Sequence, residues 1–388
     1  MSNLSYQVNR VGVIGGGQLA WMMAAGAEAL GIKLHIQTPS YEDPAVKIAE
    51  TTLIGAVDDA TVTAQLAEAC DVITFENEFI DLPALRQLES NGTVFAPSLD
   101  ALSPLLDKYD QRLYCDRLNL PSPPFTTLES KVDLPSLARK VASIGLPLAL
   151  KTRRHGYDGQ GTFILETPSA VEATWQKLGY QPVLLEAFVE FEKELAVMVA
   201  RSPAGEVAVY PVVETEQVDQ VCRRVIAPAR VELEIVKQVS AIATTLTNAL
   251  EFVGILGIEL FLSTVGKVTI NEIAPRTHNS GHYTLDACAT SQFEQQLRAV
   301  SGRPLGSTEL TRPGAVMVNL LGTQAADDYI DKRNALAEIP NAHVYWYGKA
   351  QSRPGRKMGH VTIFTDSPND DAAIAKTIQT VENLWYQP

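Results

Sequence analysis

Through the first hundred positions, short apolar runs at residues 11–14, 34–37, 52–54 and 72–75 alternate with segments of helical period at 19–30 and 60–69. That alternation predicts βαβ units around a parallel sheet. Pro104, Pro121, Pro123 and Pro124 then bracket a polar helical stretch, 105–118, which reads as a connector into a new unit. Strand patterns at 146–151, 162–165 and 182–188 with a helix at 169–177 predict a small α+β unit that can close over a ligand. Beyond residue 194 the pattern changes to adjacent strands, 195–200 and 206–213, followed by the longest helical pattern in the chain, 232–250. Strands at 257–262, 267–272, 315–321, 344–347 and 360–364 and a helix at 370–384 complete a larger third unit. The expected architecture is α/β plus α+β in three units: 1–104, Rossmann-like with a parallel sheet; 105–190; and 191–388.

Composition narrows the function. The chain has 388 residues, 46% of them hydrophobic, which is enough for several buried cores. Its 32 Lys and Arg against 45 Asp and Glu give a formal charge of −13, and no dense basic run tracks a phosphate backbone, so nucleic acid is not an expected partner. Cys70, Cys115, Cys222 and Cys288 lie far apart with no CxxC pair, which points to reduced thiols in a cytoplasm. The apolar stretches 11–27 and 252–262 are interrupted by glycines and Gln18 or by Glu259, so no membrane segment and no secretory leader is expected.

Four segments carry candidate chemistry. Gly15-Gly16-Gly17-Gln18-Leu19-Ala20 follows a strand and opens a helix, as a dinucleotide fingerprint does, but the second strand ends in Gln37 where a nicotinamide site needs an acid. A tight turn or a seat for another anion competes with that reading. Gly156, Gly159 and Gly161 sit just after Lys151, giving either a flexible lid whose amides approach phosphates or an ordinary glycine-rich turn. No Walker motif is present. If the strands around residues 257–272 turn on Val265-Gly266, Glu259 stands opposite Glu272. Two facing carboxylates repel, and Mg²⁺ between them would relieve it, although acids on a solvated face need no metal. Arg276-Thr277-His278-Asn279-Ser280-Gly281-His282 gathers donors beside Glu272, as a polar substrate loop or a hydrogen-bonded structural one. A zinc pair of His278 and His282 is disfavoured by Pro275 and Gly281. Lys349, Arg353, Arg356 and Lys357 form a basic cluster suited to a phosphomonoester or to a solvated turn.

Taken in order, these motifs, together with Phe75-Glu76-Asn77-Glu78, Glu186-Ala187-Phe188-Val189, Tyr210-Pro211-Val212-Val213-Glu214, Asn271-Glu272-Ile273-Ala274-Pro275-Arg276 and Gly348-Lys349, resemble the ATP-grasp superfamily. Within it, the chain is similar to the N5-carboxyaminoimidazole ribonucleotide synthetase family of purine biosynthesis over nearly its whole length. The resemblance implies an ATP-grasp fold whose unit 105–190 is a lid and whose unit 191–388 bears the metal and substrate sites. It implies a homodimeric carbon–nitrogen ligase that uses ATP, Mg²⁺ (or Mn²⁺), bicarbonate and 5-aminoimidazole ribonucleotide. ATP would be bound by Lys108, Lys151, Gly156, Tyr157, Asp158, Gly159, Gln160, Gly161, Thr162, Glu186, Ala187, Phe188, Val189, Glu194, Gln217, Asn271 and Glu272. Glu259 and Glu272 would hold the metal, while Gln18, Glu78, Tyr157, Arg276, His278, Asn279, Lys349 and Arg356 would bind the ribonucleotide. Arg276, His278 and Asp158 are the candidate catalytic residues, the first stabilising charge and the others accepting a proton. Trp21, Thr277 and Gln217 depart from the family's usual Arg, Pro and His. A formate-using ATP-grasp transformylase and a non-catalytic nucleotide-binding protein are the alternative readings.

Overall fold

The computed structural model of the chain describes residues 8–154, 156, 161–324 and 328–387. Strands Arg10–Ile14, Lys33–Thr38, Thr51–Ile54 and Val72–Phe75 form a four-stranded parallel sheet. Arg10–Ile14 lies between Lys33–Thr38 and Val72–Phe75, so the chain reverses its winding there, and the carboxyl ends of these strands open a crevice. In-register pairing of Ile14 with Phe75 sets Gly15 beside Glu76 at its edge. The helix expected over 19–30 is two pieces, Gln18–Trp21 and Ala24–Leu30.

A second four-stranded sheet, all antiparallel, runs Phe125–Leu128, Val183–Ala187, Leu148–Thr152, Thr162–Leu165. One face packs on helices Leu137–Ile144 and Pro168–Lys177 around Leu148, Leu150, Trp175 and Leu185, a core of its own. The other face, with Ala149, Lys151, Ile164 and Glu186, looks into the cavity described below.

The third sheet has nine strands, with Val268–Ala274 at one edge, then Gly254–Leu262, Lys193–Arg201 and Val213–Val218. Helix Leu233–Ala249 covers one face of it through Val239, Ile242 and Leu246 against Val197, Leu256 and Ile258. This core is continuous with that of the first sheet, taking in Ile14, Phe75 and Leu99. Phe293 and Leu297 of helix Gln292–Val300 likewise join Val13 and Ile36. The first and third sheets are therefore packed as one block, against which the small second sheet is a separate layer. Among the described residues, no helix is long and apolar enough to cross a membrane.

The strand expected at 206–213 is broken into Val207–Val209 and Val213–Val218, with Pro211, which has no N–H for a ladder, in the gap. The hairpin closes differently from the expected turn. Leu262 pairs with Val268, Leu260 pairs with Ile270, and a β-bulge then leaves Asn271 unpaired, so that Glu259 meets Glu272. The facing acids were read correctly, but by a register that only the bulge restores. A bulge re-aims side chains, and here Asn271 and Glu272, neighbours in sequence, both reach the same cavity.

Candidate active site

One cavity of about 1390 Å³ lies between the small sheet, the large sheet and the carboxyl ends of the parallel strands. Most of the predicted site residues meet on its walls: Gln18, Glu78, Lys151, Gly156, Thr162, Glu186, Ala187, Phe188, Val189, Glu194, Gln217, Glu259, Asn271, Glu272, Arg276, His278, Asn279, Lys349 and Arg356. Tyr157, Asp158, Gly159 and Gln160 lie outside the described residues. Gly161 and Lys108 do not line the wall, but Lys108 reaches it through Glu272, its Nζ 2.5 Å from Oε1.

Helix Lys108–Arg117, capped by the Asp107 carboxylate, organises the floor from one face. Lys108 holds Glu272. One turn on, Gln111 donates to the Ile273 carbonyl at 3.0 Å and accepts the Ile273 N–H at 3.1 Å, pinning the strand beyond the bulge. Arg112 pairs with Glu186 and donates to the Asn271 carbonyl at 2.5 Å. Lys151 completes this cluster, with Nζ 2.7 Å from Glu186 Oε2 and 3.1 Å from Asn271 Oδ1. Burial opposes the Glu186 charge, but Lys151 and Arg112 outweigh it and hold the carboxyl at about 2. Burial dominates at Lys151 and pulls its pKa down despite Glu186. Glu186 thus serves as the anchor of Lys151, a role its place in the predicted adenine slot did not suggest.

The hairpin acids are unequal. Glu259 is pushed up to about 7 by burial and then by Glu272 and Glu194. Burial also acts on Glu272, but Lys108 overrides it and keeps this carboxyl below its ordinary value. On one side stands Glu194, raised to about 7 by burial, with the Gln217 amide donating to it at 3.3 Å. Phe191 and Phe261 stack there at 4.7 Å. On the other side His278 Nε2 is 3.8 Å from Glu259 Oε1. Its Nδ1 lies 2.9 Å from Ser280 Oγ and 3.4 Å from the Ser280 backbone nitrogen. Burial, then Arg276 and Lys357, hold His278 neutral with a pKa of about 3. Arg276 grips Glu78 with two bonds, 2.6 and 3.2 Å. Asn279 and Asn319 exchange reciprocal amide bonds at 2.9 and 2.7 Å. Lys349 lies over the Tyr347 ring and donates to the Lys357 carbonyl at 2.8 Å.

Several site residues escaped the sequence reading. Glu76 lines the cavity and is raised to about 7 by burial against the pull of Arg276. It fills the glycine turn: a Cβ on Gly15 would lie 2.6 Å from its Oε2. The turn is therefore the seat of a carboxyl group, and Gln37, fully buried and bonded to Ala56, Asp59 and Thr63, has a structural duty. Both observations remove the nicotinamide-dinucleotide reading of this turn. Glu76 stood in a quoted motif, whereas Arg112, Gln111 and Asn319 gave no local signal. Trp21 packs edge-on to Tyr347, and Thr277 is buried with its hydroxyl unpartnered. His282 is buried against His360 and Phe293, apart from the cavity. Among the described residues, no group of three or more His, Cys, Asp or Glu could hold a metal alone.

Three family models match in order: a ribonucleotide synthetase preATP-grasp domain over residues 8–104, an ATP-grasp domain over 113–293, and a phosphoribosylaminoimidazole carboxylase C-terminal domain over 315–374. The N5-carboxyaminoimidazole ribonucleotide synthase of Synechococcus elongatus is 53% identical over 98% of this chain and 96% of its own length. That of Bacillus subtilis is 37% identical over 97% and 95%. The crystal structure of the Aspergillus clavatus enzyme with ADP and 5-aminoimidazole ribonucleotide superposes with a TM-score of 0.89 at 31% identity, covering 98% of this chain and 100% of the other. Fold, cavity and sequence agree, and the chain belongs to the N5-carboxyaminoimidazole ribonucleotide synthase family.

Proposed function

We propose how this cavity carries out the reaction of its family, the ATP-dependent carboxylation of 5-aminoimidazole ribonucleotide in purine biosynthesis. The observation that carries the reading is the placement of Glu259 and Glu272 between two differently equipped ends of one cavity. At one end lie Lys151, the 186–189 strand end and Glu194; at the other lie Glu78, Arg276, His278, Lys349 and Arg356. The first end suits ATP, with residues 186–189 along the adenine, Glu194 and Gln217 at the ribose, and Lys108, Lys151 and the loop 156–162 at the phosphates. Asn271 and Glu272 border the triphosphate. Glu259 and Glu272 fit Mg²⁺, or Mn²⁺, because two carboxylates with no third protein ligand among the described residues suit an ion that takes its remaining oxygens from water and nucleotide. Such an ion, when bound, supplies positive charge to the transferring phosphoryl group.

Bicarbonate oxygen attacks the γ-phosphorus, the bond to the β-phosphate oxygen breaks, and ADP leaves carboxyphosphate behind. Lys108, Lys151 and Arg276 neutralise the charge of that transfer. The exocyclic amine of the ribonucleotide then attacks the carboxyl carbon, phosphate departs, and the amine gives up a proton. Gln18, Glu78, Tyr157, Asn279, Lys349 and Arg356 hold the ribonucleotide. Asp158 or His278, the latter held neutral chiefly by burial, accepts the amine proton. Closure of the loop 156–161 keeps water from carboxyphosphate. In this reading unit 1–104 is the Rossmann-like pre-ATP-grasp domain, unit 105–190 the lid and unit 191–388 the bearer of the metal and substrate sites, in a cytoplasmic homodimer.

Steady-state ADP release tests the assignment: it should require both bicarbonate and 5-aminoimidazole ribonucleotide and should not rise when formate replaces bicarbonate. Formate-dependent release would make the chain a transformylase. No release under any combination would leave a nucleotide-binding protein without turnover.

A further inference from the structure

The loop bearing Arg276, His278 and Asn279 contains only one short 3-10 turn, Asn279–Gly281, so no strand ladder fixes its backbone. One side chain takes over that task. Gln292, the first residue of helix Gln292–Val300 and without solvent exposure, accepts the His278 N–H at 3.0 Å through Oε1 and donates from Nε2 to the His278 carbonyl at 2.7 Å. One amide thereby bonds both backbone groups of His278, as a neighbouring strand would, while the carbonyl also accepts the Gly281 N–H at 3.0 Å. The amide has a single workable orientation, since a flip would set nitrogen against N–H and oxygen against carbonyl. Gln292 is held in turn: its own N–H donates to Thr284 Oγ1 at 2.9 Å, and that hydroxyl donates to the Gly281 carbonyl at 2.6 Å. Gly281 is needed for this approach, because a Cβ there would lie 2.6 Å from Gln292 Oε1. On its other side, the Cβ of His278 rests against Gly257, two residues before Glu259.

We propose that Gln292 is a positioning residue for the carboxylation. It does not line the cavity; it sets the His278 backbone so that Nε2 faces the ribonucleotide end beside Glu259, and the proposal rests on the reading of that end given above. The test compares Gln292→Glu, which keeps the acceptor for the His278 N–H but sets an oxygen against its carbonyl, with Gln292→Met, which removes both bonds. Both variants should raise KM for 5-aminoimidazole ribonucleotide by about tenfold or more while KM for ATP stays within about twofold, a split that general loosening of the fold would not give. The backbone amide ¹⁵N signals at His278 should also shift, because the bonds that Gln292 makes to the His278 N–H and carbonyl are altered. An unchanged KM for the ribonucleotide, or equal rises in both KM values, overturns the proposal. So does an unshifted His278 spectrum, a readout that needs no turnover and therefore separates failure of the clamp from failure of the assigned reaction, which the wild-type assay reports.

Discussion

Glu259→Gln is expected to lower turnover by about 10²–10³-fold, the scale of losing one preorganised electrostatic contact to a transferring group, while raising the thermal stability of the ligand-free protein at pH 8. Burial, Glu272 and Glu194 push the Glu259 carboxyl up from 4.5 to about 7. Between those values the folded protein holds a proton that the unfolded chain has released, so stability falls as pH rises through that window. Above it, the folded protein carries the full cost of a second buried carboxylate. Glutamine removes that cost. The melting-temperature difference between variant and wild type should therefore be small near pH 4.5, grow up to about pH 7 and level off beyond. Glu272→Gln should behave oppositely in the ligand-free state, because Lys108 already stabilises the Glu272 charge and would be left unpaired. Both variants should lose turnover, and both should lose the stabilisation that ATP with Mg²⁺ is expected to confer on the wild type. Melting curves at several pH values, beside turnover assays, check the contrast. A Glu259→Gln protein that turns over within about tenfold of wild type would remove the proposed ion from this hairpin, and one that melts lower at pH 8 would overturn the buried-carboxyl account.

That unequal pair also marks where the sequence stopped being legible. Period-2 and helical patterns located most strands and helices of the parallel sheet, because each depends on residues a few positions apart. Helix Gln292–Val300 was missed for a physical reason: Gln292, Gln295 and Gln296 look like a solvated face but are buried, their amides bonded to backbone groups of His278, Gly306 and Ile255. Strand Val221–Ala227 was hidden similarly by Arg223 and Arg224, whose charges are covered by Tyr386, Glu382 and Glu216. Motif spacing brought the cavity's residue types into view, since glycines and acids at strand ends act locally. The groups that aim them, Gln111, Arg112, Gln292 and Asn319, act across 14 to 162 residues of chain, and no local pattern encodes such a partnership.

Arg112→Met is expected to destabilise the protein by about 3–5 kcal/mol, the usual consequence of breaking a buried ion pair by removing one partner. Glu186 is 2% exposed and keeps its charge, despite burial, only because Lys151 and Arg112 flank it. Its depressed pKa contributes stability that is present above about 4.5 and is lost as pH falls toward about 2; without Arg112 that contribution shrinks throughout neutral pH. The loss also reaches the nucleotide, because Lys151 must then neutralise Glu186 alone while Asn271 loses the guanidinium on its carbonyl, so KM for ATP should rise by about tenfold or more. Combining Arg112→Met with Glu186→Leu separates the two effects. An apolar replacement of a buried ion pair is often neutral for stability, so the double variant should recover most of the lost unfolding free energy. It should not recover ATP affinity, because Lys151 has lost the carboxylate that orients it. Denaturant unfolding and ATP kinetics on the three variants decide the matter: recovery of both properties would mean that Glu186 serves packing only, and recovery of neither would mean that Arg112 acts chiefly through Asn271 and the hairpin bulge.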